Sequence, residues 1–316
     1  MAEVNVITVA VGIAQVAAMV ALAPLLTGVM RKVKAKTQKR VGAGVLQPYY
    51  DLFKLMKKDE VVSDQSSWVF RSAPWVMMVA TMTATLFVPA FVPFSPFGSA
   101  GDALVVIGLF GLARFFTMLA GLDVASAFGG LGSSREMMIS SLAEPALFLV
   151  IFVVSLTFGG TDLTGLVGAA AQSAGTVIAP AMLFAMIGFF IVILAETGRI
   201  PFDNPATHLE LTMVHEAMVL EYSGKSLALI QWSHSIKQII LLALLVNLFV
   251  PFGMPANVSG LQAAAGAGAF LAKIVALAAL VAYVETRVAK WRLFRVPDLL
   301  VIAIASSMIG VIFFYL

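Results

Sequence analysis

Apolar runs of about twenty residues recur along this 316-residue chain from one end to the other, separated by polar connections. A backbone that enters hydrocarbon must satisfy its own N–H and C=O groups, so such runs form helices that pack on one another across a bilayer. Between helix breakers the runs lie at roughly 4–29, 70–93, 103–122, 141–159, 176–195, 236–253, 264–284 and 298–316. The expectation is an all-α integral membrane protein with about eight transmembrane helices, organised as a single polytopic domain over 1–316. Hydrophobic residues make up 60% of the chain and charged residues 12%, far from the composition of soluble domains. Pro74, Pro89, Pro93 and Pro145 lie in or at the ends of spans, which membrane helices tolerate because neighbours satisfy the freed carbonyls. The first run has no basic leader and is too long for a cleaved signal peptide, so it reads as a retained span.

The basic residues orient these spans. They crowd the first connection, from Arg31 to Arg71, recur around the fifth as Arg199, Lys225 and Lys237, and fill the seventh as Arg287, Lys290, Arg292 and Arg295. The second, fourth and sixth connections carry none. Such one-sidedness places the long odd-numbered loops in the cytoplasm and both termini outside. The same asymmetry accounts for the net charge of +3 without a nucleic-acid partner. The chain has no cysteine, so it cannot form a disulfide or supply thiolates to an iron–sulfur or nickel–iron centre, and any redox metal must sit in a partner.

Two cytoplasmic segments stand out. The basic loop 30–69 contains QPYYDLFKLMKK, which sets Leu46, Tyr50, Phe53 and Met56 at helical spacing opposite Lys54, Lys57 and Lys58, as an interfacial amphipathic helix would. A solvated linker with stop-transfer charge is the plainer alternative. The segment 196–235 collects Glu196, Asp203, Glu210, Glu216 and Glu221 with His208 and His215, interleaved with Leu, Met and Val. That mixture predicts carboxylates in a partly dry, protein-covered cavity, where acid pKa values rise toward neutrality and histidine titrates in the same window.

Elsewhere, ionisable residues within or beside spans are costly and therefore functional candidates: Arg114, Glu144, Glu196, Lys273 and Glu285. For Glu144 the plainer role is a carboxylate near a helix N-terminus, and for Lys273 a side chain that snorkels or pairs within the bundle. Two sharper motifs fail. HEAMV at 215–219 lacks the second histidine of a zinc-protease helix, and the glycines of AFGGLGSSRE at 127–136 follow no strand and lack a phosphate-loop lysine.

Four ordered motifs carry a family likeness: QKRVGAGVLQPYYDLFKL (38–55), GSSREMMISSLAEP (132–145), LAETGRIPFDNP with LEYSG (194–205, 220–224), and KWRLFRVPDLL (290–300). Together they resemble the complex I subunit 1 family, a membrane subunit of eight core helices at the junction of the peripheral and membrane arms. The stretch NPATHLELTMVHEAMVL is longer than in respiratory members of that family, and it has Ala206 and His208 where they carry acids. It looks like the corresponding subunit of group 4 membrane-bound nickel–iron hydrogenases and of formate hydrogenlyase or hydrogenase-4-type complexes. The resemblance implies a membrane anchor and coupling subunit, not itself catalytic, in a bacterial or archaeal plasma membrane. It would link redox chemistry in hydrogenase-like small and large subunits, which carry the iron–sulfur and nickel–iron centres, to proton or sodium movement through antiporter-like subunits. It implies an ion route through Glu144, Glu196, Glu210, Glu216 and Glu221, to which the residue reading adds His208, His215, Lys273 and Glu285. Partner contacts are expected at Arg40, Gln47, Tyr49, Arg135, Glu136, Arg199, Asp203, Arg292, Arg295 and Asp298. The alternative is a quinone-chamber core subunit of a respiratory NADH:quinone oxidoreductase.

Overall fold

The computed structural model describes residues 6–97, 101–204, 213–255 and 260–316. Twelve α-helices carry the described chain: α1 (Val6–Thr37), α2 (Gln47–Met56), α3 (Trp68–Phe87), α4 (Ala103–Asp123), α5 (Ala127–Phe158), α6 (Leu163–Gln172), α7 (Ala174–Val177), α8 (Pro180–Glu196), α9 (His215–Val219), α10 (Gly224–Phe249), α11 (Gly260–Arg287) and α12 (Val296–Tyr315). Among the described residues the only β-type pairing is an isolated bridge between Asp102 and Asp162.

Each expected span has a helix, and together they make a multi-pass membrane protein. Six helices, α1, α4, α5, α10, α11 and α12, have the length and composition to cross a bilayer. The other two expected spans fall on α8, apolar but 17 residues long, and α3, whose 20 residues include Arg71 and Pro74.

Two boundaries differ from the sequence expectation in a way that matters. The fourth span begins at Ala127 rather than 141, so that GSSREMMISS forms part of the first half of a 32-residue helix instead of a loop. The sixth begins at Gly224 rather than 236, which takes Lys225 and the end of the 196–235 segment into a helix. In both cases key polar side chains face protein, so hydropathy alone underestimates the helix.

Local chemistry explains the helix starts. Asp102 caps α4 by accepting from the Leu104 amide at 2.8 Å, and Asp162 caps α6 through the Gly165 amide at 2.7 Å. At the opposite end of the bundle, which bears the basic loops, Asp123 at the close of α4 accepts from the amides of Ser67 and Phe70 at 2.7 and 3.2 Å. Those two bonds tie it to the start of α3. Pro48, Pro180 and Pro297 occupy first-turn positions, where a missing N–H costs nothing.

The bundle is arranged around α10. Its membrane-length window is 78% buried, against 28% for α11, so α10 is the axis and α11 lies at the periphery. Asn247 near its C-terminal end donates to the carbonyls of Pro89 and Ala90. At its N-terminal end Tyr222 stacks on Phe70 and donates to the Phe70 carbonyl at 2.8 Å, while Ser223 exchanges hydrogen bonds with Val61. The EYSG motif thus anchors the start of the central helix to the segment before α3.

Candidate functional site: a buried charge network beneath a cavity

The site is built where the helix ends meet on the side of the basic loops. Arg114, on α4, lies within the apolar bundle and is almost wholly buried. An isolated guanidinium there would be prohibitive, and three carboxylates from two other helices surround it. Its Nη1 donates to Glu144 Oε1 at 2.9 Å, its Nη2 donates to Glu196 Oε2, and its Nε lies 3.5 Å from Glu136 Oε1. Glu196 is also met by Lys237 Nζ of α10 at 2.7 Å. Glu196 and Glu136 are buried, whereas the Glu144 side chain is 40% exposed on the outer side of the bundle.

His215 joins this network to a second one. Its Nε2 lies 3.4 Å from Glu136 Oε2 and its Nδ1 3.4 Å from Asp203 Oδ2. Asp203, buried in the loop after α8, also accepts from the backbone amides of Asn204, Val214 and His215, and from Lys290 Nζ at 3.3 Å.

Close approaches by glycine set this geometry. A Cβ on Gly132 of α5 would fall 2.9 Å from Ala217 Cβ and from the Val214 carbonyl, so only glycine lets α9 lie against α5. Gly198 has φ of +57° and would place a Cβ 2.8 Å from His215 Nδ1. Two glycines of the 127–136 motif, Gly129 against Gly121 and Gly132 against α9, serve helix packing.

Electrostatics in the loop run opposite to the sequence expectation for the acids. Burial tends to raise the Asp203 pKa, but contact with His215, Lys290 and the His215 amide outweighs it and holds the carboxyl at about 2, below the ordinary 3.8. Burial tends to lower the His215 pKa, yet Glu136 and Asp203 prevail and raise it above 6.5. The acid therefore remains ionised and the imidazole becomes the group that titrates.

Above the network opens a cavity of about 680 Å³ between α1, α2, α9, α10 and the loop after α8. Asp203, His215, Glu216, His234 and Glu285 line it. Glu285 of α11 is buried and paired with Arg199 Nη1 at 3.4 Å and Lys34 Nζ at 3.6 Å, while Arg199 Nη2 donates to Gln238 at 2.9 Å.

Of the residues expected on an ion route, Glu144, Glu196 and His215 come together, and Glu216 and Glu285 share the cavity. His208 and Glu210 lie outside the described residues. Glu221 is exposed beside Tyr222, and Lys273 sits at the far end of the bundle, where it donates to the Val250 carbonyl at the C-terminus of α10.

Of the expected partner contacts, Arg292, Arg295 and Asp298 are exposed beside Phe294, which is 87% exposed. Arg40 is exposed at the cavity, Gln47 binds Asp51, and Tyr49 donates to the Ala21 carbonyl. Arg135 donates to the Met213 carbonyl at 2.8 Å. Glu136, Asp203 and Arg199 face inward and meet groups of this chain itself. Lys237, His234 and Gln238 complete the site without standing out in the sequence. The signal that marks them is an i, i+3, i+4 spacing, which shows only once they are known to share one helix.

Comparison with known proteins agrees with this architecture. Hydrogenase-4 component C of Escherichia coli (strain K12) is 36% identical over 247 residues, covering 78% of this chain and 77% of that protein. Formate hydrogenlyase subunit 4 of the same organism is 33% identical over 283 residues, covering 88% and 89%. The H subunit of NADH-quinone oxidoreductase from Paraburkholderia xenovorans (strain LB400) is 29% identical over 243 residues, covering 70% and 66%. In fold, a chain from the membrane-bound sulfane sulfur reductase, an archaeal respiratory membrane complex, superposes with a TM-score of 0.81 at 19% identity, covering 95% of this chain and 98% of that one. The NADH dehydrogenase family profile matches residues 9–315, and the chain belongs to that family.

Proposed function

We propose that this chain is the membrane anchor and coupling subunit of an energy-converting hydrogenase-like complex, linking redox chemistry in cytoplasmic partners to ion movement in the membrane arm. The observation that carries the proposal is the continuous set of contacts from Asp203 through His215, Glu136 and Arg114 to the half-exposed Glu144. It begins in the cavity on the side of the basic loops and ends on the bundle's outer side, where a neighbouring membrane subunit could take over. The likeness to hydrogenase-4 component C and formate hydrogenlyase subunit 4 supports a hydrogenase-like setting over most of the chain. Redox metal centres belong to hydrogenase-like small and large subunits docked on the cytoplasmic face, and antiporter-like subunits flank the bundle. The concentration of lysine and arginine in these loops supports a cytoplasmic face in a bacterial or archaeal plasma membrane, with both termini outside.

This chain's part is electrostatic. Arg114 and Lys237 provide two positive charges against three carboxylates, so a proton or a partner's cation completes the balance. Each shift of that charge across a 100 mV potential is worth roughly 2.3 kcal/mol, within reach of a small conformational bias.

Glu144→Gln in the intact complex tests the reading. Redox turnover should persist while proton translocation, followed by dye quenching in inverted vesicles, falls by about tenfold or more; wild-type coupling would sink it.

A second reading, a quinone-chamber subunit, draws on the cavity volume and the NADH-quinone oxidoreductase relatives. Quinone-dependent activity blocked by chamber inhibitors would favour it. The charged cavity wall weighs against it.

A further inference from the structure

His234 has no part in the network described above, yet it stands where that network meets the cavity. It lies on α10 one turn before Lys237, so the two share a face: Lys237 reaches down to Glu196, and His234 lines the cavity. Its ring meets His215 edge-on, with centroids 6.3 Å apart, a separation that a single water can bridge. Beyond His215, Glu136 Oε2 is buried and accepts no hydrogen bond among the described residues, although His215 Nε2 stands 3.4 Å away. A buried acceptor with its lone pairs open, beside an imidazole, is prepared to receive a proton.

We propose that His234 is the proton-collecting residue of this site, passing protons from cavity water through His215 to Glu136. This rests on the coupling role proposed above and names the group that feeds it. A proton from cavity water binds one ring nitrogen of His234, and the opposite N–H proton leaves through bridging water to His215. His215 gives its Nε2 proton to Glu136 Oε2, the vacated Nε2 takes the proton that arrives from His234, and no electrons move. The charges facing the pair are Glu136 on α5, Asp203 and Arg199 in the loop, Glu216 on α9 and Lys237 on α10. Across the cavity, Arg31 and Lys34 of α1, Asp51 of α2 and Glu285 of α11 complete the surroundings.

The test uses the intact complex in inverted membrane vesicles, with His234→Gln, which keeps side-chain bulk, and His234→Ala, which opens space. Both variants should slow proton translocation about tenfold. Millimolar imidazole should bring His234→Ala, but not His234→Gln, back to within about threefold of the wild type, an effect that a purely structural role would not produce. Wild-type rates in His234→Gln, or loss in both variants without imidazole rescue, would overturn the proposal. If His234→Gln pumps normally while Glu144→Gln is uncoupled, the relay role of His234 falls and the coupling function stands; if neither variant is impaired, both fall.

Discussion

Glu136 and Glu196, beside Arg114, and Asp203, in the loop, are all buried carboxylates, yet they are stabilised by different means. Glu136, Glu144 and Glu196 project from helices, where backbone N–H groups are already committed to i→i−4 bonds. Only side-chain cations remain, and Arg114 and Lys237 supply them. Asp203 lies in a loop whose amides are free, so Asn204, Val214 and His215 donate to it from the backbone, with His215 and Lys290 adding charge. The loop cluster is therefore fixed in place by main chain. The helix cluster is held by side chains alone. In the coupling role proposed above, the loop cluster would serve as the anchored end and the helix cluster as the end within the membrane.

The contrast can be broken at its most sensitive point. Arg114→Met removes the one cation that all three carboxylates share, leaving Lys237 on Glu196 alone, and should cost about 3–5 kcal/mol, enough to abolish assembly of the complex in detergent extracts. Because the helix cluster depends on charge balance, adding Glu196→Gln should restore part of the yield; no recovery would show that Arg114 acts through shape instead. Asp203→Asn should cost less, about 2 kcal/mol, as expected for a carboxyl held at about 2 instead of 3.8. It should appear as faster hydrogen exchange at the amides of Val214 and His215, with the Arg114 cluster intact.

The smallest effect is a pH dependence confined to the loop. Asp203 has a lowered pKa, so its contribution is complete above 3.8 and fades as pH falls through about 2. His215 has a raised pKa, so its contribution is complete below 6.5 and fades as pH rises through the elevated value. Amide protection at Val214 and His215 should thus be greatest between about pH 4 and 6.5 and decline on either side. His215→Gln should remove the alkaline decline and leave the acid one; retention of both limbs in that variant would assign the alkaline titration to another group.

Much of this architecture is legible in one dimension. The eight spans follow from local hydropathy, and the side bearing the long loops follows from where lysine and arginine are absent. The family likeness sits in short motifs between spans whose residues prove to be structural: glycines where helices touch, and EYSG where the central helix is anchored. Hydropathy misleads where polar residues lie inside helices. It leaves Glu136 and Lys225 between spans, because a helix that carries its charges at one end looks, along the chain, like a break between spans.

By itself the sequence determined the number of spans, their order, the face that carries the basic residues, and the need for every buried ion to find a partner. Which ions meet was decided only in three dimensions. Arg114 and Glu196 are 82 residues apart, and α10, apolar nearly all round, carries no periodicity to show which way Lys237 and His234 point. Pairing of buried charge is a non-local solution to desolvation, and packing around α10 selects it.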